Sequence, residues 1–225
     1  AILDNFCWGD PNDPESLGAL VRASRACHDV AVHYGVPFIS GKDSLYNVYQ
    51  EGEKKISIPH SLLISAISIV DDTRKCVTMN AKLEGELVYV VGITKREMGG
   101  SHLFALYGET GYSVPVVDTA LGKRVFASMH QAIDVGLLRA SHDCSEGGIA
   151  VALAEMAMAG DLGMKVDLAK VPVAIDVESE SDILFSESNS RFVVCVKSAQ
   201  KDQFERLMRG VPCGLVGETT ADKRF

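Results

Sequence analysis

The sequence predicts an α/β or α+β fold in two layers, because strand-like and helix-like segments alternate along the chain with short joins. The apolar runs within residues 86–92 and at 192–196 are typical of core strands. Residues 13–34 and 121–136 instead repeat apolar side chains at the spacing of an amphipathic helix. The alternation of these two patterns, and not any single motif, indicates the fold class.

Length and charge narrow the class of protein. A chain of 225 residues that is 47% hydrophobic is long enough for one large domain or two small ones. The pattern restarts around residues 81–84, so we expect one domain over residues 1–80 and a second over 81–225. The net charge of −8 argues against a nucleic-acid partner, and no apolar run approaches the roughly 20 residues of a membrane span.

The six cysteines never form a C-x-x-C pair, which favours free thiols in a reducing cytoplasm over disulfides or a zinc site. The chain begins Ala-Ile-Leu, without a basic and apolar leader. We therefore expect a cytoplasmic protein, present here as a fragment or a processed piece.

In the first half, residues 2–9 read as a strand and Asp13-Pro14-Glu15 as the start of a helix that Gly35 ends. Residues 36–40 are expected to form a buried strand. Further strands are predicted at residues 61–70, half buried, and at 76–79.

In the second half, a helix is expected after the glycine-rich turn at residues 97–102. The remaining predicted elements are strands at 86–92, 137–141, 164–168, 192–196 and 213–217, and helices at 121–136, 149–160 and 200–209.

The most informative stretch is residues 137–160, which read as a strand, a polar loop with two glycines and an Ala-rich helix. His142, Asp143, Ser145 and Glu146 lie in that loop. Free N–H groups at a helix start favour phosphate, and a carboxylate there is suited to Mg²⁺ that is shared with a nucleotide. The alternative is an ordinary capped helix, in which Ser145 or Asp143 satisfies backbone N–H groups.

A second polar constellation, Gly41-Lys42-Asp43-Ser44, follows a predicted strand. Lys42 is suited to phosphate and Asp43 to a metal, while Ser44 or Asn47 is suited to a sugar hydroxyl or a phosphate oxygen. The alternative is a polar hairpin turn, since these residue types are common in loops.

Two kinds of nucleophilic catalysis are disfavoured. Ser145, His142 and Asp143 lie on one loop without the G-x-S-x-G context, whereas triad partners normally converge from separate segments. Cys144 would need a base beside it and a depressed pKa.

Together the motifs resemble the second half of the phosphoribosylformylglycinamidine (FGAM) synthase family, within the aminoimidazole-ribonucleotide-synthetase-like (PurM-like) superfamily. The resemblance covers essentially the whole chain. The segments that carry it are residues 4–11, 40–47, 99–101, 142–148 and 184–192.

The resemblance implies a partial PurM-like N-terminal sheet-and-helix unit followed by a two-layer α/β C-terminal unit. It implies a carbon–nitrogen ligase that uses ATP and Mg²⁺ to convert formylglycinamide ribonucleotide and glutamine-derived ammonia into the amidine, in purine biosynthesis. The implied partners are the missing first half of the synthase and a glutaminase domain or subunit, with a homodimer through the N-terminal sheet as a further option. The family's catalytic histidine lies in the first half, so this piece is expected to be inactive alone.

Residue by residue, the resemblance assigns Asp4 and Gly41 to ATP and Ser44 to the ribonucleotide. Lys42 departs from the Gly-Asn-Val-Ser pattern of small-type synthases, where the asparagine binds Mg²⁺, and matches the large, single-chain type. An ammonium group cannot ligate Mg²⁺, so Asp43 becomes the expected metal ligand of this motif.

In the later motifs, the resemblance assigns Asp143 to Mg²⁺ and Ser145 to the nucleotide. Glu187, Ser188 and Asn189 match a substrate-contacting loop of the first half. The two acidic, glycine-flanked bends at Asp43 and Asp143 are thus expected to serve one triphosphate and its magnesium.

Three alternatives remain at this point. The first is a structural half that holds a trapped nucleotide. The second is another superfamily member, such as a selenophosphate synthetase or thiamin-monophosphate kinase, and the third is an unrelated binding module. The second fits the sequence less well, because those enzymes do not share the Leu-Phe-Ser-Glu-Ser stretch that begins at Leu184. The third is a residual alternative.

Overall fold

The computed structural model describes residues 1–224 and divides into two compact units, Ala1–Asp71 and a second unit that begins at Asp72. The division precedes the expected boundary near residue 80, and the assignment of residues 1–80 and 81–225 to two family domains stays a prediction.

The first unit contains one helix and a small sheet. Strands β1 (Ile2–Cys7) and β2 (Phe38–Ser44) are parallel and are joined by helix α1 (Pro14–Tyr34), while β5 (Ser61–Ala66) pairs antiparallel with β1. Strands β3 (Val48–Glu51) and β4 (Lys54–Ser57) form a separate hairpin. As predicted, the Asp13 carboxylate accepts the Ser16 N–H at 2.8 Å to cap α1, and Gly35 ends the helix with a φ of 71°.

Burial in this unit differs from the prediction. The strand expected to be buried at 36–40 begins at Phe38, runs on through Ser44 and is mostly exposed. β5 ends at Ala66 instead of residue 70, and Leu63 within it is 61% exposed. The expected strand at 76–79 is absent; a 3₁₀ turn, Thr73–Lys75, precedes irregular backbone there. In the described chain, this three-stranded sheet has too little neighbouring structure to bury the apolar side chains that the pattern placed inside.

The second unit is built on a five-stranded antiparallel sheet in the order β7–β9–β6–β10–β8. Its strands are β6 (Leu87–Val91), β7 (Leu138–Asp143), β8 (Gly163–Val166), β9 (Phe192–Val196) and β10 (Cys213–Thr220). Its helices are α2 (His102–Leu106), α3 (Thr119–Asp134), α4 (Gly148–Gly160), α5 (Glu180–Phe185) and α6 (Lys201–Leu207).

Both faces of this sheet are covered. Val88 and Val90 pack in one buried cluster with Met156 of α4. Tyr89 and Val91 point the other way, into a second cluster with residues of α3 and α6 that include Phe204. The α/β class is confirmed, but the unit has a helix layer on each face and thus one layer more than predicted, because β6 and β9 are apolar at successive positions and not at alternate ones.

Most elements of the second unit match the sequence pattern. The exception is α5, which the sequence left unassigned although Ser179 and Asp182 form a capping box at its start. None of the helices within residues 1–224 is both long and apolar enough to cross a membrane.

Candidate functional site

The predicted strand–loop–helix is present, with β7 ending at Asp143 and α4 beginning at Gly148. Gly147 and Gly148 both have positive φ, 77° and 65°. A Cβ at Gly148 would lie 2.6 Å from the Ser186 carbonyl oxygen and 2.7 Å from that of Leu184. Glycine is therefore required here by both the backbone conformation and the close approach of the last turn of α5 and the residue after it.

A cavity of about 280 Å³ opens beside this turn. It is lined by three carboxylate residues, two histidines and smaller groups: His102, His142, Asp143, Ser145, Glu146, Gly147, Val151, Ala152 and Glu155. No lysine or arginine of the described chain is among them. The cavity is acidic, and its volume is just below the roughly 300–1,000 Å³ that is usual for small-ligand sites.

Asp143 presents its carboxylate to solvent at the mouth of this turn, with its side chain 63% exposed. The Ser145 hydroxyl donates a hydrogen bond to Oδ2, and this bond holds the pKa of Asp143 below its usual range. His142 Nδ1 lies 3.3 Å from Asp143 Oδ1, while His142 Nε2 lies 2.8 Å from Glu155 Oε2. Asp143 is thus an ionised carboxylate whose neighbours restrict its orientation.

Glu187 joins three segments of the second unit. Its Oε1 accepts the backbone N–H of Gly147 at 2.9 Å and that of His102 at 2.8 Å, and His102 Nδ1 lies 3.4 Å away. Glu187 therefore places a carboxylate where the predicted phosphate would meet the N-terminus of α4. Of its neighbours, Ser188 is 1% exposed and its hydroxyl accepts the Lys95 N–H, whereas Asn189 is exposed.

Arg191 holds this loop from inside. Its side chain is 1% exposed and donates to the carbonyls of Ser188 at 2.9 Å and Ser186 at 2.5 Å, and to Thr94 Oγ1 at 2.8 Å. Burial lowers the pKa of the guanidinium. Because the two carbonyls flank Glu187, Arg191 fixes the backbone from which the Glu187 carboxylate projects.

In the first unit, Asp4 of β1 lies directly opposite Gly41 of β2. A Cβ at Gly41 would come within 2.2 Å of the Asp4 carboxylate, so only glycine leaves this carboxylate its position. Asp4 and Asp43 line one cavity of about 340 Å³, together with Phe6, Leu20, Ser24, Cys27, Phe38 and Leu45.

The other residues of this motif point elsewhere. Side chains alternate along a strand, so Lys42 and Ser44 face away from Gly41 and Asp43. Lys42 Nζ donates to Ser44 Oγ at 2.5 Å. Asn47 donates its amide N–H groups to the carbonyls of Trp8 and Ser44 and has a structural role. Instead of the hairpin turn considered as the alternative, the motif is a strand with two different faces.

The structure thus brings together Asp143 and Ser145, with Glu187 one hydrogen bond from their turn, and separately Asp4, Gly41 and Asp43. The two groups belong to different units. Within residues 1–224, no group of three or more His, Cys, Asp or Glu side chains is arranged to hold a metal ion.

Sequence reasoning missed three participants: His102, Glu155 and Arg191. Glu155 left a signal, since it is the only charged residue of the apolar helix α4. His102 left none, because its contact with Glu187 joins residues 85 positions apart. Arg191 left none because, although it binds the nearby carbonyls of Ser186 and Ser188, its burial depends on packing that the local sequence does not show.

Comparison with known proteins places this chain in a family. The model of the family described as AIR synthase related protein, C-terminal domain, matches residues 84–225. The "Phosphoribosylformylglycinamidine synthase subunit PurL" of Thermococcus sibiricus is 33% identical over 208 residues, and that of Deinococcus radiodurans is 34% identical over 226. These matches cover 92% and 97% of this chain but only 28% and 30% of the relatives.

Solved structures agree on the fold. PurL of Thermotoga maritima complexed with ATP superposes with a TM-score of 0.73 at 19% identity, over 98% of this chain and 33% of that one. The chain of a HypE–HypF complex superposes with a TM-score of 0.68 at 17% identity, over 99% and 72%. The PurM-like fold and the resemblance to FGAM synthases are confirmed, and the chain belongs to the AIR synthase related protein, C-terminal domain family.

Proposed function

We propose that this chain is part of an ATP-dependent carbon–nitrogen ligase of the FGAM synthase type, and that the turn between β7 and α4 binds a nucleotide together with Mg²⁺. The similarity to PurL subunits over most of the chain supports the ligase. Solved structures of T. maritima PurL complexed with ATP, ADP and the ribonucleotide FGAR support the ligand classes. The six free cysteines suit a reducing compartment, the cytoplasm.

One observation carries the proposal for the second unit: Asp143 and Ser145 meet at the mouth of a cavity beside a glycine turn that starts a 13-residue helix. Their oxygen atoms are hard donors of the type that Mg²⁺ prefers. Because Mg²⁺ is usually held by one or two carboxylates with phosphate and water, the donors fit a metal shared with a nucleotide. They do not fit a metal enclosed by protein ligands alone.

In this proposal Asp143 binds the cation and Ser145 orients Asp143 and contacts the nucleotide. His142 and Glu155 restrict how the carboxylate turns. In the first unit, Asp4 and Gly41 contact ATP and Asp43 binds a metal, which the shared cavity of the two carboxylates supports. Ser44 binds ribonucleotide from the other face of β2, and Glu187, Ser188 and Asn189 form a substrate-side loop in which only Asn189 is exposed.

Bound Mg²⁺ would supply charge stabilisation for phosphoryl transfer from ATP to the formyl amide oxygen. Ammonia then displaces that oxygen, which leaves as inorganic phosphate. No residue of the described chain is placed as a general base by its contacts. The chain therefore supplies part of a site, and the partners of the proposal are the remainder of the synthase and a source of ammonia. The exposed apolar side chains of β5 suit pairing of the first unit with another sheet, from that remainder or a second copy.

The test is an assay of the isolated chain with FGAR, ATP, Mg²⁺ and ammonium chloride, following ADP release and amidine formation. We expect no amidine from the chain alone and activity when it is assembled with the remainder of a PurL-type synthase. Turnover by the isolated chain would overturn the proposal of a partial site.

A second candidate is a non-catalytic half that holds a trapped nucleotide. It is favoured by the engagement of Glu187 and Ser188 within the fold, which leaves them little freedom to contact a substrate. Recovery of ADP from the purified chain, released only on unfolding, would support this candidate; nucleotide that exchanges within seconds would exclude it.

A further inference from the structure

We propose that Glu187, which contacts the lining residues Gly147 and His102, gives the cavity beside α4 a preference for a nucleotide complexed with a divalent cation over the free nucleotide. The inference rests on the proposed function of that cavity and adds the residue that sets the preference. It reassigns Glu187 from contact with a substrate to control of which charge the cavity accepts.

The first ground is the position of the carboxylate. Glu187 Oε1 accepts N–H groups from Gly147, the N-cap of α4, and from His102. The N-terminus of a helix carries partial positive charge and attracts anions. Here the protein's own carboxylate lies at that point, so a phosphate that approaches the α4 N-terminus meets a negative charge.

The second ground is that Glu187 is held in place from three sides. Arg191 binds the carbonyls of Ser186 and Ser188 on either side of it. The Ser186 hydroxyl donates to the Lys95 carbonyl at 2.5 Å and accepts the Glu97 N–H at 2.8 Å. The Ser188 hydroxyl accepts the Lys95 N–H at 3.0 Å. A carboxylate whose backbone is fixed this firmly is not readily displaced by an incoming phosphate.

The third ground is the charge of the surroundings. Asp143, Glu146 and Glu155 line the cavity, and no lysine or arginine of the described residues is part of its lining. The buried guanidinium of Arg191 interacts with the charge of Glu187 but does not line the cavity. The lining histidines are His102, beside Glu187, and His142, between Asp143 and Glu155. Like charges at short range oppose the binding of free nucleotide phosphates, whereas a bound divalent cation reverses the sign of the interaction.

The substitution Glu187→Gln distinguishes the effect of the carboxylate's charge from the effect of its hydrogen bonds. A glutamine keeps a side-chain oxygen that can accept the N–H groups of Gly147 and His102, but it removes the negative charge. We expect the variant to bind metal-free ADP about tenfold more tightly than the unchanged chain does, which corresponds to ~1.4 kcal/mol. Its affinity for ADP with Mg²⁺ should change by less than about threefold, because the cation has already neutralised the phosphates.

The experiment measures the dissociation constant of ADP for the 225-residue chain by calorimetry, once with EDTA and once with excess Mg²⁺. Glu84→Gln is the matched control, since Glu84 is exposed on the turn before β6 and its replacement makes the same change in charge. The unchanged chain and the control should both bind ADP at least about tenfold more tightly with Mg²⁺, and this ratio should collapse in Glu187→Gln.

Three other results of these titrations would each contradict a different part of the argument. If Glu187→Gln weakens ADP equally with and without Mg²⁺, Glu187 only shapes the turn and the inference is wrong. If the unchanged chain binds ADP equally well in EDTA, the charge argument is wrong although the cavity remains a nucleotide site. If the chain binds ADP under neither condition, the proposed function of the cavity is wrong and the inference fails with it.

Discussion

Cys144 follows Asp143 at the end of β7, and its thiol is buried. Burial raises the pKa of Cys144 to about 11 from an ordinary value of 9.0, so about a hundredfold less thiolate is present at pH 8. We predict that iodoacetamide at pH 8 labels the exposed Cys76 and leaves Cys144 unmodified in the native chain, as measured by peptide mass spectrometry. Labelling should appear only as the pH rises towards 11. Equal labelling of both cysteines at pH 8 would restore Cys144 as a candidate nucleophile.

Arg191 carries a second prediction at this scale. Arg191→Met would leave the buried carbonyls of Ser186 and Ser188 without their donors, and each unsatisfied buried group costs about 1–3 kcal/mol. We expect the free energy of unfolding of the second unit to fall by at least ~2 kcal/mol in urea titrations. The exposed Arg209→Met should change it by less than about 0.5 kcal/mol. A similar, small effect of both substitutions would refute the structural role of Arg191.

Among single residues, spacing alone identified Asp143 and Ser145, because a polar loop between an apolar strand and an Ala-rich helix is a local pattern. Ser188 was assigned to a substrate loop by the family resemblance and not by spacing, and spacing gave no sign that its hydroxyl is buried against Lys95, 93 positions away. Spacing also missed Arg191, because a buried arginine cannot be distinguished from an exposed one by its sequence neighbours.

At the scale of elements, the glycine turn before α4 is the most constrained connection. Gly148→Ala introduces a positive-φ alanine and a clash with the carbonyls of Leu184 and Ser186. Gly136→Ala, at the end of α3, has a similar positive φ, 71° against 65°, but no atom within 4 Å of the added Cβ. We predict a loss of about 1–2 kcal/mol for Gly136→Ala and at least ~1 kcal/mol more for Gly148→Ala. Equal losses in denaturant titrations would show that the close approach of the α5 segment does not restrict this position.

The start of α1 offers a test in the first unit. Asp13→Ala removes the carboxylate that accepts the Ser16 N–H, while Asp13→Ser keeps a capping oxygen. We expect the Ser16 amide to exchange with deuterium roughly fivefold faster in the alanine variant and at nearly the original rate in the serine variant. Unchanged exchange in Asp13→Ala would show that the cap does not stabilise the first turn.

Element types could be predicted well where the apolar period is long, as in α1, α3 and the core strands β6 and β9. The burial of the strands could not be predicted from the sequence, as β2 and β5 show. Their apolar side chains predict strands correctly, but whether a strand is buried depends on what lies over the sheet, which local sequence does not encode. The short helix α5 escaped because six residues are too few to establish a helical period.

At the scale of the whole molecule, the second unit has a complete core and the first does not. Two buried clusters cover the two faces of the five-stranded sheet, whereas large apolar side chains such as Ile39 and Leu63 are about 60% exposed on the first unit. The chain spans less than a third of the length of the PurL relatives quoted above. This contrast supports the proposal that the chain works as part of a larger ligase.

The account depends most directly on binding of Mg²⁺ and nucleotide by Asp143. The decisive measurement is calorimetric titration of the chain with ATP and Mg²⁺, compared with Asp143→Asn and with Asp202→Asn, an exposed control on α6. We predict saturable binding that Asp143→Asn weakens at least about tenfold, because an amide cannot replace the charge that a carboxylate offers to Mg²⁺, while Asp202→Asn leaves it unchanged. Equal affinity in all three proteins, or no binding by the unchanged chain, would contradict the account.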